Sequence, residues 1–442
     1  MSPKTQKLPE PEEATIESLS HEGRGVTHIN GKTVFVDNAL PGETVRLNYL
    51  RTRSKRDEAE AVDILQASPQ RIEPFCPYFH ACGGCSLQHM EPRAQIEFKQ
   101  QVLVEQLRHI GGVEAGVLLE PLMGPVRGYR HKARLGVKYV FKKQRLLVGF
   151  REKRSSFVAD IDECGVLHPA VGNLLPALKE LIAGLSIYNR IPQIEVAVGD
   201  GHPALVIRHL QPLNESDLYN MRMFEREHGV TLYLQAGGPD TVAPLTPGDV
   251  GNSMFYRFDE EDLTLSFGPL EFIQINLAMN RVLVKRILSL LEPGESDSIL
   301  DMFCGLGNFT LPLSQYVYRV TGVEGDAELV ERAVRNAELN SVKNADFCLA
   351  DLYQEELQAS FLRQDYNKVL LDPPRSGARE ILQRLDTRNV EKILYVSCNP
   401  ATLARDAGIL VHDKGFTLEK AGVMDMFPHT AHVESIALFR KG

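Results

Sequence analysis

The feature that most constrains the fold is an alternation of short apolar runs with longer amphipathic stretches, which extends from about residue 263 to the C-terminus. Short runs rich in Val, Ile and Leu are typical of buried strands, and the stretches between them have the apolar spacing of surface helices. Strands that alternate with helices form a parallel sheet covered on both faces. We therefore predict a doubly wound α/β domain. The strand candidates are Ser298–Phe303, Arg319–Glu324, Asp346–Ala350, Lys368–Leu371 and Lys392–Ser397.

A glycine-rich turn and three acids stand at the ends of these strands. Gly305 and Gly307 follow the first strand, where the absence of a side chain lets the backbone approach a ligand closely. Glu324, Asp351 and Asp372 lie at the ends of the next three strands. One such acid alone is more often a cap or loop residue. Because ligands of open α/β sheets lie beyond the carboxyl ends of the strands, the three acids together predict a nucleoside site.

Two motifs after the later strands point to different chemistries. Asp372-Pro-Pro-Arg375 is a stiff turn, and similar turns present a carbonyl to an exocyclic amine in methyltransferases that act on amines. Ser397-Cys398-Asn-Pro400 places a thiol at a helix N-terminus, where the helix dipole is expected to lower the pKa of the thiol. An amine needs no thiolate, whereas C5 of uracil becomes nucleophilic only after something adds to C6. The thiol therefore favours C5 methylation of uracil.

Removal of the C5 proton requires a base, and the candidates lie near the C-terminus. The apolar stretch from Asp425 to Glu434 has a carboxylate at each end, and a carboxylate there would have a raised pKa suited to proton abstraction. His429 and His432 are alternatives, although histidines in such loops are more often hydrogen-bonded structural residues.

Four of the seven cysteines form a separate pattern, Cys76-x5-Cys82-x2-Cys85 with a distant Cys164. Four thiolates can hold zinc or an iron–sulfur cluster, and their spacing does not separate the two. The residues alone favour a metal site, with zinc the more common metal.

The N-terminal half divides into two segments after a Pro-, Lys- and Glu-rich tail of residues 1–13, which we expect to be disordered. Residues 14–67 have short alternating apolar runs separated by glycines, the pattern of a small OB-like β-barrel. Residues 68–262 have mixed α+β character, with a hairpin formed by Ile194–Val198 and Ala204–His209. Pro239, Pro244 and Pro247 are interpreted as a linker to the next domain.

Charge is distributed unevenly, which bears on the partner. The net charge of −9 argues against nucleic acid, but Arg127–Arg154 holds eleven Lys or Arg and a single acid. Tyr129, Tyr139, Phe141 and Phe150 are interleaved with these cations. Cations that neutralise phosphates and aromatic rings that stack on bases suit single-stranded RNA.

The motif set resembles the RNA uracil-C5 methyltransferase family. The resemblance rests on Asp-Met-Phe-Cys-Gly-Leu-Gly-Asn-Phe from Asp301, Asp-Pro-Pro-Arg, Ser-Cys-Asn-Pro and Phe-Pro-His-Thr-x-His-x-Glu, in this order. It implies a Rossmann-like fold that binds S-adenosylmethionine (SAM), with Cys398 as nucleophile and Glu434 as base. By the same likeness Glu324 holds the ribose and Asp351 the adenine. The residues implied at the cofactor are Gln274, Phe303, Asn308, Glu324, Asp351 and Asp372.

The N-terminal half resembles the branch of this family that acts on 23S ribosomal RNA. The turns Gly23–Gly25 and Leu40–Glu43 are similar to those of a TRAM domain, a small RNA-binding barrel. In this branch, the four-cysteine arrangement holds a [4Fe–4S] cluster, so the resemblance replaces zinc as the expected group. The resulting organisation is a tail 1–13, a TRAM barrel 14–67, a central iron–sulfur domain 68–262 and a methyltransferase domain 263–442.

Three other functions are weighed against methylation of a 23S rRNA uridine. The nearest is the same chemistry on tRNA or on another rRNA uridine. Radical-SAM methylthiolation also joins TRAM barrels to clusters, but it uses Cys-x3-Cys-x2-Cys and leaves Cys398 unexplained. A non-enzymatic RNA chaperone would not need both Cys398 and Glu434. With no signal peptide and no long apolar run, we expect a cytoplasmic monomer without a membrane partner.

Overall fold

The computed structural model describes residues 8–246, 254–354 and 360–442, and its first unit is a six-stranded sheet. The strands are β1 Glu12–Thr15, β2 Ser18–Leu19, β3 Gly25–Ile29, β4 Lys32–Asp37, β5 Thr44–Thr52 and β6 Arg56–Gln66, in the order β1-β5-β6-β4-β3-β2. Because β1 pairs with β5 and β2 pairs with β3, the segment 12–19 joins both ends of the sheet. The sheet thereby closes into the predicted barrel. Glu12 and Glu13 belong to β1, although the sequence placed them in the tail.

A buried ion pair fastens the barrel to the chain that follows it. Glu43 is fully buried, and its carboxylate accepts hydrogen bonds from the backbone amides of Leu40 (2.8 Å) and Ser68 (3.1 Å). Arg71 donates two more from its guanidinium, at 2.5 and 2.6 Å. Both carboxylate oxygens therefore have partners, as a buried charge requires.

The central segment contributes to two sheets. Its helices are α1 Pro92–Gln106, α2 Pro169–Gly172, α3 Leu175–Ala183 and α4 Glu215–His228. Its strands are β7 Val117–Leu118, β8 Lys132–Val140, β9 Arg145–Gly149, β10 Gln193–Ala197, β11 Ala204–Arg208, β12 Thr231–Gln235 and β13 Val242–Pro244. All of these strands except β7 form a mixed sheet, in the order β13-β12-β11-β10-β8-β9. The predicted hairpin is confirmed as the antiparallel pair β10–β11.

The predicted proline linker is only partly a linker. Pro244 is the last residue of β13, which is an edge strand, so its missing N–H costs the sheet little. Pro239 starts a single 3-10 turn, and Pro247 lies outside the described residues.

The C-terminal segment supplies seven strands of an eight-stranded sheet with helices on both faces. A hairpin of β14 Phe255–Phe258 and β15 Leu263–Ser266 precedes it. The remaining strands are β16 Ser298–Met302, β17 Arg319–Glu324, β18 Ala345–Leu349, β19 Lys368–Leu371, β20 Lys392–Ser397, β21 Phe416–Met424 and β22 Glu434–Lys441. The helices are α5 Leu277–Leu291, α6 Thr310–Ser314, α7 Ala327–Leu339, α8 Arg379–Arg384 and α9 Pro400–Gly408.

The strand order β18-β17-β16-β19-β20-β22-β21-β7 fixes where a ligand can bind. Strands β16 to β20 run parallel, and the chain builds outward from β16 first on one side and then on the other. In open α/β sheets the crevice at such a reversal, beyond the carboxyl ends of the strands, is the ligand site. The five predicted strands are confirmed, with ends shifted by at most one residue.

The boundary between the central and C-terminal domains differs from the sequence expectation. Strand β7 pairs with β21, and α1 packs against α9 and β21. Ile96 and Leu103 of α1 share a buried cluster with Leu403 and Leu418. Part of the segment assigned to the central domain thus covers the C-terminal sheet, because the apolar face of α1 needs a partner layer. Among the described residues, no helix has both the length and the apolar character that crossing a bilayer requires.

Candidate active site

A cleft of about 550 Å³ opens at the carboxyl ends of the parallel strands. It is lined by all eight residues predicted for the catalyst and the cofactor: Gln274, Phe303, Asn308, Glu324, Asp351, Asp372, Cys398 and Glu434. They come from seven places in the chain and meet because parallel strands end at one edge of the sheet. Their assignment to individual roles remains a prediction.

The cofactor half of the cleft is shaped by hydrogen bonds to Glu324. Its carboxylate accepts the backbone amide of Gly305 at 3.0 Å and those of Gly325 and Asp326 at 2.7 and 3.1 Å. These bonds fix the carboxylate beside the glycine-rich turn, where the dihedral angle φ of Gly305 is +56°. Such an angle is easily adopted only without a Cβ, which explains the glycine. The turn and the acid predicted from separate strand ends are therefore one structural unit.

Phe303 begins the turn in a conformation that is uncommon for a non-glycine residue, with φ of +66°. Its amide donates to the carbonyl of Val323 at 2.8 Å, which ties β16 to β17 beyond the end of the sheet ladder. The Phe303 ring lies 5.9 Å from that of Tyr353, centroid to centroid. Both rings line the cleft, which gives an apolar wall suited to a flat base.

Two predicted cofactor residues already have partners in the protein. The amide of Asn308 exchanges two hydrogen bonds with that of Asn280, at 2.8 and 3.0 Å, and accepts one from the Tyr256 hydroxyl at 2.8 Å. Gln274 donates to the Asp372 carboxylate at 3.4 Å. Asn308 therefore positions the wall of the cleft through its side chain, and Gln274 holds Asp372.

Sequence reasoning missed three residues of this region. Tyr256 and Tyr353 line the cleft but lie in stretches without a recognisable motif. Asp301 is fully buried behind the turn, with one carboxylate oxygen bonded to Thr310 at 2.5 Å and the other without a partner. Burial raises the pKa of Asp301 to about 7. Its place at the end of a strand before the glycines was a usable signal.

The catalytic half of the cleft is set by strand register. Strands β20 and β22 are antiparallel, and Ser397 lies opposite Ser435. Cys398 follows Ser397 and Glu434 precedes Ser435. The two residues therefore lie next to each other at this end of the sheet, and both line the cleft. The Ser435 hydroxyl donates to the Ser397 carbonyl at 3.1 Å and holds this register.

The expected low pKa of the Cys398 thiol is wrong for this structure. Helix α9 does begin at Pro400, and the Asn399 side chain caps it by accepting the amide of Ala401 at 3.1 Å. Burial, followed by the nearby Glu434 and Asp372 carboxylates, nevertheless raises the pKa of Cys398 to about 11, against the opposing effect of Arg375. A short helix cannot offset desolvation and two acids.

The expected raised pKa of Glu434 is confirmed. Burial and then the Asp372 carboxylate raise the pKa of Glu434 well above its usual range, while Arg375 and Lys99 oppose the shift. Burial, followed by Asp301, raises the pKa of Asp372 to about 7. The cleft thus holds two carboxylates with raised proton affinity, a property that general bases need.

The two histidines near Glu434 have different surroundings. His429 is buried and tied down: its amide donates to the Gln95 side chain at 2.8 Å, and its Nε2 lies 2.8 Å from the Val126 carbonyl. His432 is exposed at the mouth of the cleft, with Nε2 3.5 Å from the Arg375 guanidinium. This agrees with a structural role for His429.

The four cysteines of the central segment line one small pocket, together with Tyr78, Phe79 and Phe150. Burial is the first cause that raises the pKa of each thiol, and for Cys76, Cys82 and Cys85 the other cysteines add to it. Within residues 8–246, 254–354 and 360–442, no group of three or more His, Cys, Asp or Glu side chains has the arrangement of a metal-ion site.

A second, larger cavity of about 960 Å³ adjoins the cleft and shares Arg375, Phe427 and His432 with it. Cations from all three segments line it: Arg24, Arg130, Arg134, Arg151, Lys153, Arg154 and Arg375. Five of these belong to the predicted basic segment. Tyr129 of the same segment does not line the cavity, because it is buried and its hydroxyl donates a hydrogen bond to the Pro428 carbonyl at 2.9 Å. It is a structural residue rather than a stacking platform.

The doubly wound sheet, the cleft at its reversal point and the acid that holds the glycine turn define the SAM-dependent methyltransferase class. A family profile described as tRNA (Uracil-5-)-methyltransferase matches residues 250–442. A profile described as the TRAM domain of tRNA (uracil(54)-C(5))-methyltransferase matches residues 13–70.

Similar proteins extend over the whole chain. The 23S rRNA (uracil(1939)-C(5))-methyltransferase RlmD of Hahella chejuensis is 51% identical over 448 residues, which cover 100% of both chains. That of Nitrosococcus oceani is 53% identical over 434 residues, 98% of this chain and 96% of the other. The solved Pyrococcus abyssi tRNA (uracil-54, C5)-methyltransferase in complex with S-adenosyl-L-homocysteine has a TM-score of 0.72 at 25% identity, over 97% of this chain and 100% of that one. The chain belongs to the RNA uracil-C5 methyltransferase family.

Proposed function

We propose that this enzyme methylates C5 of one uridine in 23S ribosomal RNA, with Cys398 as nucleophile and Glu434 as base. The observation that carries the proposal is the strand register that puts both side chains beside each other, in the cleft that also contains Glu324 and Asp351. A thiol and a carboxylate next to a nucleoside site are what C5 chemistry on uracil needs and what amine methylation does not.

The reaction follows from these positions. Cys398 adds to C6 of uracil as a thiolate, and the pair of electrons displaced from the C5–C6 bond makes C5 nucleophilic. Phe303 and Glu324 would hold SAM, which when bound would supply the methyl group that C5 accepts. Glu434 then removes the C5 proton, the C5–C6 double bond re-forms, and the bond from C6 to sulfur breaks to return the thiolate. The Cys398 proton must leave first, and the Glu434 and Asp372 carboxylates are the acids whose charges act on the thiol.

The larger cavity is proposed as the path of the RNA strand. It is lined by cations of the barrel, the central segment and the C-terminal segment, which can neutralise successive phosphates. Arg375, Phe427 and His432 form its junction with the cleft. A uridine turned out of the stack at this junction would reach Cys398, as enzymes that act on a base require.

The choice of RNA is proposed from the relatives. Proteins matched over the full length at 51–53% identity are named for 23S rRNA, whereas the tRNA enzyme of Pyrococcus abyssi is 25% identical. Transcripts of 23S rRNA and of tRNA, each offered with SAM, distinguish the two substrates. Methylation of tRNA alone would overturn this part of the proposal.

We also propose that Cys76, Cys82, Cys85 and Cys164 hold a [4Fe–4S] cluster. Four thiols line one pocket, and four cysteine thiolates are the usual ligand set of such a cluster. When bound, the cluster would cross-link the loop 76–85 to Cys164. Iron and acid-labile sulfide assays on anaerobically purified protein test this, and protein with neither would refute it.

The central test is tritium release from ribosomal RNA labelled at uridine C5. Wild-type protein with SAM is expected to release tritium in step with methyl transfer. Cys398→Ala is expected to do neither while it still binds SAM, since the thiol does not lie in the cofactor half. Cys348→Ala, on the outer strand β18, is the matched control and is expected to behave as wild type. Methyl transfer without tritium release would mean an amine or ribose target.

A further inference from the structure

Helix α1 buries a lysine behind the catalytic strands. Lys99 is 0% exposed, and its Nζ donates to the Asp425 carboxylate at 2.7 Å and to the Phe427 carbonyl at 3.0 Å. Asp425 is itself 1% exposed. Both acceptors belong to the loop between β21 and β22, which leads directly into Glu434. The lysine therefore joins the covering helix to the loop that carries the proposed base.

A second residue on the same face of α1 holds the middle of this loop. Gln95, one helical turn before Lys99, accepts the His429 amide at 2.8 Å and donates to the Met90 carbonyl at 2.7 Å. Gln95 could hold the loop by neutral hydrogen bonds alone. The charge on Lys99 is thus not needed for tethering.

A buried ion pair is a poor way to gain stability, because desolvation of two charges offsets much of their attraction, and apolar pairs of similar size often do as well. The groups that face Glu434 indicate another reason for the charge. Asp372 comes from the loop after β19, and Cys398 from the loop after β20. Arg375 is exposed at the cleft mouth, so Lys99 is the buried cation among the groups that act on Glu434 in the described structure.

We propose that Lys99 is a positioning residue for the proton-abstraction step: it fixes the loop before Glu434 and supplies a buried positive charge that favours the ionised form of the Glu434 carboxylate. This inference rests on the proposed function. Glu434 must be charged to accept the C5 proton, and its burial works against that charge. Addition of Cys398 and methyl transfer to C5 precede this step and do not require it.

The consequence is a separation of two steps in a single turnover. Lys99→Met, with labelled SAM and C5-tritiated rRNA, is expected to transfer methyl normally but to release tritium about tenfold to a hundredfold more slowly. The methylated RNA should therefore accumulate as a protein–RNA complex that survives denaturant. Higher pH should restore the rate in part, because the carboxylate that lacks its cation ionises only at higher pH. If Lys99→Met instead slows methyl transfer as much as tritium release and forms less of the protein–RNA complex, the proposal is overturned.

Two variants test whether the charge is responsible. Lys99→Arg keeps it and is expected to retain fast tritium release. Lys99→Met with Asp425→Asn removes both charges, which preserves folding without an unpaired buried acid, and is expected to remain slow. Fast release in that double variant would contradict the electrostatic role. Gln101→Met, exposed on the same helix, is the control and should match wild type.

Glu434→Gln separates the failure of this inference from failure of the proposed function. If Glu434→Gln accumulates the complex and Lys99→Met does not, Lys99 has no part in proton abstraction and the function stands. If neither accumulates it and Cys398→Ala still transfers methyl, the proposed function itself is wrong.

Discussion

The molecule buries two glutamates whose surroundings are opposite. Glu43, at the base of the barrel, is fully buried, and its carboxylate accepts four hydrogen bonds, two of them from Arg71. Glu434, in the cleft, is 4% exposed, and burial and neighbouring charges rather than hydrogen bonds set the shift of its pKa. Its charge faces Asp372 instead, and its pKa is raised well above the usual range.

The difference separates an architectural acid from a chemical one. A buried carboxylate with every lone pair engaged stabilises the fold. A buried carboxylate that faces another acid is costly, and such groups are found where their proton affinity is used. Substitution of each glutamate should therefore damage a different property.

The largest expected effect is on turnover in Glu434→Gln. Loss of a general base lowers the rate by about 10²–10⁴-fold, so methyl transfer should stop after one turnover. SAM affinity should be unchanged, because the cofactor half of the cleft is held by Glu324. Multiple-turnover methylation and SAM binding by calorimetry measure the two. Normal turnover in this variant would remove Glu434 from the mechanism.

The same variant should be more stable than wild type at neutral pH. The folded pKa of Glu434 is raised, so the stability it contributes is full below the unfolded pKa of about 4.3 and is lost as pH rises through the folded pKa. The glutamine side chain does not ionise, so the variant does not lose stability in this way. Urea unfolding at several pH values should therefore show that the free energy of unfolding of the variant rises relative to that of wild type as pH increases. A constant difference across pH would mean that Glu434 is not perturbed.

A smaller effect on turnover and a larger one on stability are expected for Glu43→Gln. Arg71 would lose its charged partner, and breaking a buried pair costs about 3–5 kcal/mol in the free energy of unfolding. The rate at saturating substrate, well below the melting temperature, should stay near that of wild type. Glu13→Gln is the matched control in the same barrel, since its pair with Arg46 is exposed and such pairs contribute about 0–1 kcal/mol. Loss of turnover in Glu43→Gln without loss of stability would break the comparison.

Much of the C-terminal fold could be predicted from the sequence, because its signals are local. The apolar runs of β16 to β20, the glycine turn and the proline at the start of α9 each depend on a few neighbouring residues. The packing of α1 and β7 on the C-terminal sheet could not be predicted in this way. Nothing in residues 92–118 specifies which sheet their apolar face will cover.

The candidate site was predictable in the eight residues that line its cleft, but only in part in its electrostatics. Cys398 and Glu434 stand in motifs, and the structure brings them into one cleft with the acids of the strand ends. The direction of the Cys398 pKa was missed because the helix start is visible in the sequence, whereas the two acids and the burial around the thiol are not. Tyr129 was missed for the same reason: an aromatic ring beside cations gives no sign of whether it is buried.

The sequence by itself predicted the α/β fold of the C-terminal domain, the family, and the residues that meet in the cleft, Cys398 and the acids at the strand ends among them, since these follow from residue types at short spacings. Only the tertiary structure decided which charges meet. Lys99 and Asp425 are 326 positions apart, and Ser397 and Ser435 are 38 apart, yet each pair is in contact. Proton affinity depends on distances and burial in space, and neither is a property of a chain read in order.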